Sequence, residues 1–129
     1  MNRLEHHFTR LKKSNKKAAV FFITAGDPSP AQSLEIMRAL AAEGADCIEL
    51  GVPFSDPIAD GPIIQRSTAR ALANRVTLDD IFELVHQFRC SHDTPVVMMG
   101  YFNPLLRYGL ENAVNRCREA GIDGLIFAD

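Results

Sequence analysis

The stretch CIELGVPFSDPIADGP, Cys47 to Pro62, decides how the rest of the chain is read. Its opening, Cys47–Gly51, is an apolar run with one carboxylate, Glu49, set inside it. A short apolar run closed by turn residues reads as a strand of a buried parallel sheet. The remainder, Val52–Gly61, is a proline- and glycine-rich loop that carries Asp56 and Asp60. A carboxylate inside such a strand must meet polar surroundings or stay protonated at a cost. Acids gathered at one strand end therefore ask for a chemical reason.

Working outward, the same alternation recurs. AAVFFITAG (Ala18–Gly26) reads as a strand buried on both faces and closed by Gly26-Asp27-Pro28. Ser29 caps a helix with Pro30 in its first position, Leu34, Met37, Leu40 and Ala41 form its inner stripe, and Gly44 ends it. After the acidic loop, Ile63 to Asn74 reads as a helix. Thr77 and Asp80 form a capping box for another, with Ile81, Phe82, Leu84, Val85 and Phe88 apolar. PVVMMG from Pro95 is the third strand, Tyr101-Phe102-Asn103-Pro104 a loop, Leu110–Ala120 a helix stopped by Gly121, and GLIFAD the fourth strand. Leu4, His7, Phe8 and Leu11 give a short N-terminal helix one apolar face.

Strands alternating with helices specify an α/β protein with a parallel sheet. EGADCIELG and EAGIDGLIFA form a faint internal repeat, with Gly44 and Gly121 two βα units apart. That spacing suits a (β/α)8 barrel, and a flavodoxin-like sheet also accommodates it. In both, the site lies at the C-terminal strand ends. Thr24, Asp27, Glu49, Asp60, Tyr101, Asn103 and Asp129 all belong to that end.

Composition limits the function classes. The 129 residues suffice for one modest domain, 1–129, and hydrophobic residues at 47% with charged residues at 23% describe a globular chain. A net charge of −2 gives no general electrostatic case for nucleic acid or membrane. The basic cluster Arg10, Lys12, Lys13, Lys16 and Lys17 reads first as the solvated end of a helix and only second as a site for an anion or an acidic partner, with no interleaved aromatics for stacking on bases. Cys47, Cys90 and Cys117 are odd in number, lack metal-ligand spacing, and read as reduced core residues of a cytosolic protein. Neither a spanning run nor a signal-peptide core is present, and none of His6, His7, His86 and His92 has the spacing of a metal site.

Glu49 has two readings: a salt bridge in the barrel mouth, or a carboxylate that shuttles protons near neutral pH. Asp60, returned to the same rim by its loop, reads either as a helix-start acid favoured by the dipole or as the second group of an acid/base pair. Asp56, in Ser55-Asp56-Pro57, has ordinary turn chemistry. Phe22 and Tyr101 read as core aromatics or as flanks of a flat aromatic ligand.

IELGVPFSDPIADGP (Ile48–Pro62), with FITAGDP (Phe22–Pro28), GYFNP (Gly100–Pro104) and GIDGLIFAD (Gly121–Asp129), resembles the tryptophan synthase alpha chain family over essentially the whole sequence. The resemblance implies a TIM barrel and cofactor-free retro-aldol cleavage of indole-3-glycerol phosphate to indole and glyceraldehyde 3-phosphate. It also implies a tryptophan synthase beta chain as partner, which carries pyridoxal phosphate. By position, Glu49 matches the family's general acid/base and Asp60 the carboxylate that holds the indole N–H. Phe22 and Tyr101 match aromatic contacts to the substrate. Pro53 to Asp60, Asp56 among them, match a site-closing loop that touches the beta chain, and Asn103 and Pro104 match a second interface segment.

A full barrel takes about 250 residues. The matched motifs belong to its first four βα units, a half barrel, and the glycine-rich phosphate turns are expected after strands seven and eight. An alternative function follows: a non-catalytic half-barrel or assembly unit, with raw sheet edges and an uncovered apolar face. Another barrel acting on phosphorylated indole or ribose compounds fits the Glu49 and Asp60 pair less well.

Overall fold

The computed structural model describes residues 2–129. The elements run α1 (Arg3–Lys13), β1 (Val20–Thr24), α2 (Pro30–Ala42), β2 (Cys47–Gly51), α3 (Pro62–Ala73), α4 (Leu78–Arg89), β3 (Val96–Gly100), α5 (Phe102–Tyr108), α6 (Leu110–Ala120) and β4 (Gly124–Phe127). The four strands pair in parallel, in the order β1-β2-β3-β4. Helices alternate with them, as the apolar runs and caps specify.

Local chemistry explains the helix ends. The Ser29 hydroxyl accepts the Gln32 N–H and Pro30 opens α2, where a missing N–H costs nothing. Thr77 and Asp80 form the expected capping box on α4. Asn2 and Glu5 form another on α1, which the sequence reading did not include. Gly44 and Gly121 follow α2 and α6 at φ +94° and +86°, the left-handed region that glycine enters without a Cβ penalty.

The sheet has two faces. Ile48, Leu50, Val96 and Met98 point to the helices and form the core with Met37, Phe82, Val85, Phe88 and Leu105. By register, Phe22 and Thr24 share the other face with Glu49, Gly51, Val97 and Met99. Among the described residues, no helix is long and apolar enough to cross a membrane.

Three sequence expectations need correction. First, β1 is not buried on both faces: Val20 and Phe21 are 45% and 43% exposed, because among the described residues β1 pairs with β2 alone. Second, Phe102-Asn103-Pro104 is not a loop but the first turn of α5. A proline there removes an N–H that has no partner within the helix, so it does not bar the helix. Third, Cys47 and Cys117 are buried, but Cys90 is exposed at the end of α4.

The internal repeat has a physical basis at the N-terminal end of the sheet. Two residues after Gly44, the Asp46 carboxylate accepts the Ala19 N–H at 2.7 Å. Two residues after Gly121, Asp123 accepts the Val96 N–H at 3.0 Å. Helix α1 bridges both aspartates: His7 Nε2 donates to Asp46 at 2.6 Å, and Arg3 donates to Asp123 at 3.0 Å. Buried Arg89 joins them, donating to Asp123 at 2.7 Å and to the carbonyls of Gly121, His92 and Thr94.

Candidate functional site

The opposite, C-terminal end of the sheet carries the candidate site. Glu49 stands in register with Phe22 on the inward face and is partly exposed. Among the described residues, no hydrogen bond or ion pair reaches its carboxylate, so the salt-bridge reading finds no partner here. Cys47, two residues earlier on the same face, is pushed up to about 11 by burial and by the charge of Glu49, and remains a thiol at neutral pH.

The loop after β2 is built to return Asp60 to this rim. The Val52 N–H donates to the Met99 carbonyl at 2.8 Å, so the chain leaves β2 against β3. A turn then closes as the Asp60 N–H donates to the Pro57 carbonyl at 3.1 Å. Gly61 is the N-cap of α3 and provides no side-chain cap, which leaves Asp60 one residue before that cap. Gln65 donates to the Asp60 main-chain carbonyl at 2.8 Å, so the side chain of Asp60 is not what holds the turn. The carboxylate instead lines a small cavity.

Tyr101, 3% exposed, holds both limbs of the loop. Its ring packs against Phe54 with centroids 5.4 Å apart, and its hydroxyl accepts the Ala59 N–H at 2.8 Å. Burial raises the phenol above its usual pKa, the Ala59 N–H draws it back, and the Asp60 carboxylate beside it raises it further.

Phe22, Thr24, Gly51, Asp60, Met99 and Tyr101 line one cavity of about 10 Å³, the space of roughly a single water. Three of the four residues expected at the reaction centre thus meet in it: Asp60, Phe22 and Tyr101. Glu49 lies deeper on β2, two residues before Gly51, and does not line it. A far larger hollow of about 1050 Å³, beside Arg3, His6, Arg10 and Lys13, lies at the other end of the sheet, away from these carboxylates.

Other rim residues are occupied. Asp27 forms a two-pronged bond with Arg70 at 2.7 and 2.9 Å, which fastens α3 to the β1–α2 turn. Asp129 accepts the Phe102 N–H at 3.0 Å and satisfies the start of α5. The Thr24 and Ser67 hydroxyls share a 2.7 Å bond. The sequence offered no signal for these pairings, since each joins distant elements.

Of the residues expected at a partner interface, Pro53 and Pro104 line one groove of about 480 Å³ with Phe54, Val76 and Tyr108. Asp56 and Asn103 are exposed beside it and do not line it. Ile58, at 83% exposure, projects from the loop between them and Asp60.

A family model described as tryptophan synthase alpha chain matches residues 8–129. The tryptophan synthase alpha chain of Paraburkholderia phytofirmans is 52% identical over 130 aligned positions, covering 100% of this chain and 48% of the relative. The crystal structure of tryptophan synthase subunit alpha from Legionella pneumophila superposes with a TM-score of 0.98 at 46% identity, covering 100% of this chain and 50% of that one. A chain from the tryptophan synthase α2β2 complex of Pyrococcus furiosus superposes at 0.83 with 44% identity, covering 87% and 46%. The chain spans about half the length of the relatives it matches.

Proposed function

This chain belongs to the tryptophan synthase alpha chain family, and we propose that it supplies the carboxylate half of a site that cleaves indole-3-glycerol phosphate to indole and glyceraldehyde 3-phosphate. The fold is the first half of the family's TIM barrel. The observation that carries the reading is the convergence of Asp60, Phe22 and Tyr101 on one cavity at the C-terminal strand ends, with an unpartnered Glu49 beneath it. We read residues 1–129 as one folding unit of that barrel.

The chemistry assigns the roles. Cleavage needs a proton on the indole carbon that bears the side chain, and loss of a proton from the adjacent hydroxyl as the C–C bond breaks and the aldehyde forms. The proton gained by indole and the proton lost by the hydroxyl balance. Asp60 accepts a hydrogen bond from the ring N–H and stabilises the positive charge that ring protonation creates. Glu49 moves protons at the reacting carbons. Phe22 supplies an apolar face for the ring, and Tyr101 holds the loop that carries Asp60. This chain's own reaction requires no cofactor.

The partner in this reading is a tryptophan synthase beta chain. Pro53, Asp56, Asn103 and Pro104 contribute the docking surface, on the groove and exposed loop described above. The exposed Ile58 supports it, since an isoleucine so open to water gains most from a covering surface.

A second reading has one observation behind it. Val20, Phe21, Ile126 and Phe127 are exposed on the two outer strands, which suits an assembly unit without activity of its own. Indole release from indole-3-glycerol phosphate by this chain, with and without the beta chain and alongside its mass in solution, separates the two. Release that Glu49→Gln abolishes supports the enzyme reading; an inert species in both conditions supports the assembly unit.

A further inference from the structure

Four glycines of this chain have a backbone reason to be glycine: Gly26, Gly44, Gly109 and Gly121 all have positive φ. Gly51 has none. It is the last residue of β2, in regular register with Thr24 and Met99, where glycine weakens a strand and contributes no packing. What distinguishes it is the ring beside it. A Cβ on Gly51 would lie 2.5 Å from Cζ and 2.9 Å from Cε2 of Phe22, and 3.3 Å from the Ile23 carbonyl oxygen. The Phe22 ring therefore rests on bare β2 backbone. Both residues line the cavity of about 10 Å³ beside Asp60, so the thickness of this wall bears directly on the space left in it.

We propose that Gly51 is a specificity-determining residue: its missing side chain seats the Phe22 ring against β2, and that seat decides whether a two-ring aromatic fits beside Asp60. The inference rests on the function proposed above. A methyl at position 51 lifts the ring off its seat toward the cavity. A one-ring ligand tolerates the lost depth, whereas a fused two-ring ligand does not. Shortening Phe22 removes the collision and returns the depth.

The test is calorimetric binding by the intact protein of two uncleavable probes: indole-3-propanol phosphate, with two fused rings, and 3-phenylpropyl phosphate, with one. Gly51→Ala weakens the two-ring probe about tenfold, or about 1.4 kcal/mol. It weakens the one-ring probe by no more than about twofold, within the additivity of independent sites. Adding Phe22→Leu to Gly51→Ala brings the two-ring affinity to that of Phe22→Leu alone. Equal losses for both probes, or no recovery in the double variant, overturn the proposal. Should Gly51→Ala fail to fold, the double variant against Phe22→Leu decides by itself: equal affinity supports the seat and a loss overturns it. A parent protein that binds neither probe overturns the proposed function and this inference together. A parent that binds both, with Gly51→Ala unchanged, removes the role of Gly51 alone.

Discussion

The Tyr101 hydroxyl accepts the Ala59 backbone N–H at 2.8 Å, which joins the end of β3 to the residue before Asp60. The bond ties a structural residue to a chemical one across a loop that is otherwise held mainly by its own turns. Tyr101→Phe keeps the ring and its packing on Phe54 but frees Ala59. Indole release is expected to fall about tenfold through misplacement of Asp60, since an error of about 1 Å costs up to about 100-fold. Steady-state assay of the intact protein with the beta chain checks this, with thermal unfolding as the control for folding. An unchanged rate would limit Tyr101 to packing.

Glu49 and Asp60 separate in their kinetics. Glu49→Gln keeps shape and removes proton transfer, so turnover is expected to drop by about 100- to 10,000-fold with the circular dichroism unchanged. Asp60→Asn keeps the size of the side chain but loses the charge facing the ring N–H. Its turnover is expected to fall about 100-fold, with KM changed far less, because the charge is felt most in the transition state. Near-parent turnover in either variant sinks that residue's assigned role.

Acid stability reads the base of the sheet. The Asp46 carboxylate is held below its usual value of 3.8, first by the Ala19 N–H and then by His7, against an opposing effect of burial. A carboxyl group with a depressed folded pKa contributes stability above its unfolded value, and that contribution is lost as pH falls through the folded value. Asp46→Asn should therefore lower stability at pH 7 and approach the parent as pH falls well below the ordinary carboxylate value of 3.8. Urea titrations at the two pH values test the sign; an equal deficit at both would mean that charge is not what Asp46 contributes.

The buried pair of Arg89 and Asp123 predicts asymmetry. Arg89→Met leaves a carboxylate that is only 2% exposed with the half-exposed Arg3 as its remaining cation, and is expected to cost about 3 kcal/mol. Arg89→Met combined with Asp123→Asn should cost less than the sum of the two single changes, since no charge is left buried. Chemical denaturation of the four proteins in this cycle measures the coupling, and strict additivity would argue against a working pair.

Much of the fold was legible because its signals are local. Apolar runs, Ser29-Pro30, Thr77 with Asp80, and the stops at Gly44 and Gly121 each act within a few residues, and the elements follow them. The misreadings occurred where context prevails. Pro104 looks like a turn residue until its place in the first turn of α5 makes its missing N–H harmless. The Ala18–Gly26 run looks fully buried until the strand order puts β1 at an edge.

The candidate site divides in the same way. Glu49 and Asp60 were visible in the sequence because carboxylates beside a buried strand are costly unless they serve a purpose, and the resemblance placed Phe22 and Tyr101 beside them. The sequence by itself determined the strands, the caps, the family and the acids at one strand end, all through interactions between near neighbours. Only the tertiary structure decided that Tyr101 holds Ala59, that Asp129 satisfies α5, that Asp46 and Asp123 anchor α1, and that Phe22 lies on Gly51. Each of these pairs residues far apart in the chain, and their contact depends on how parallel strands align in register, which no single stretch of sequence encodes.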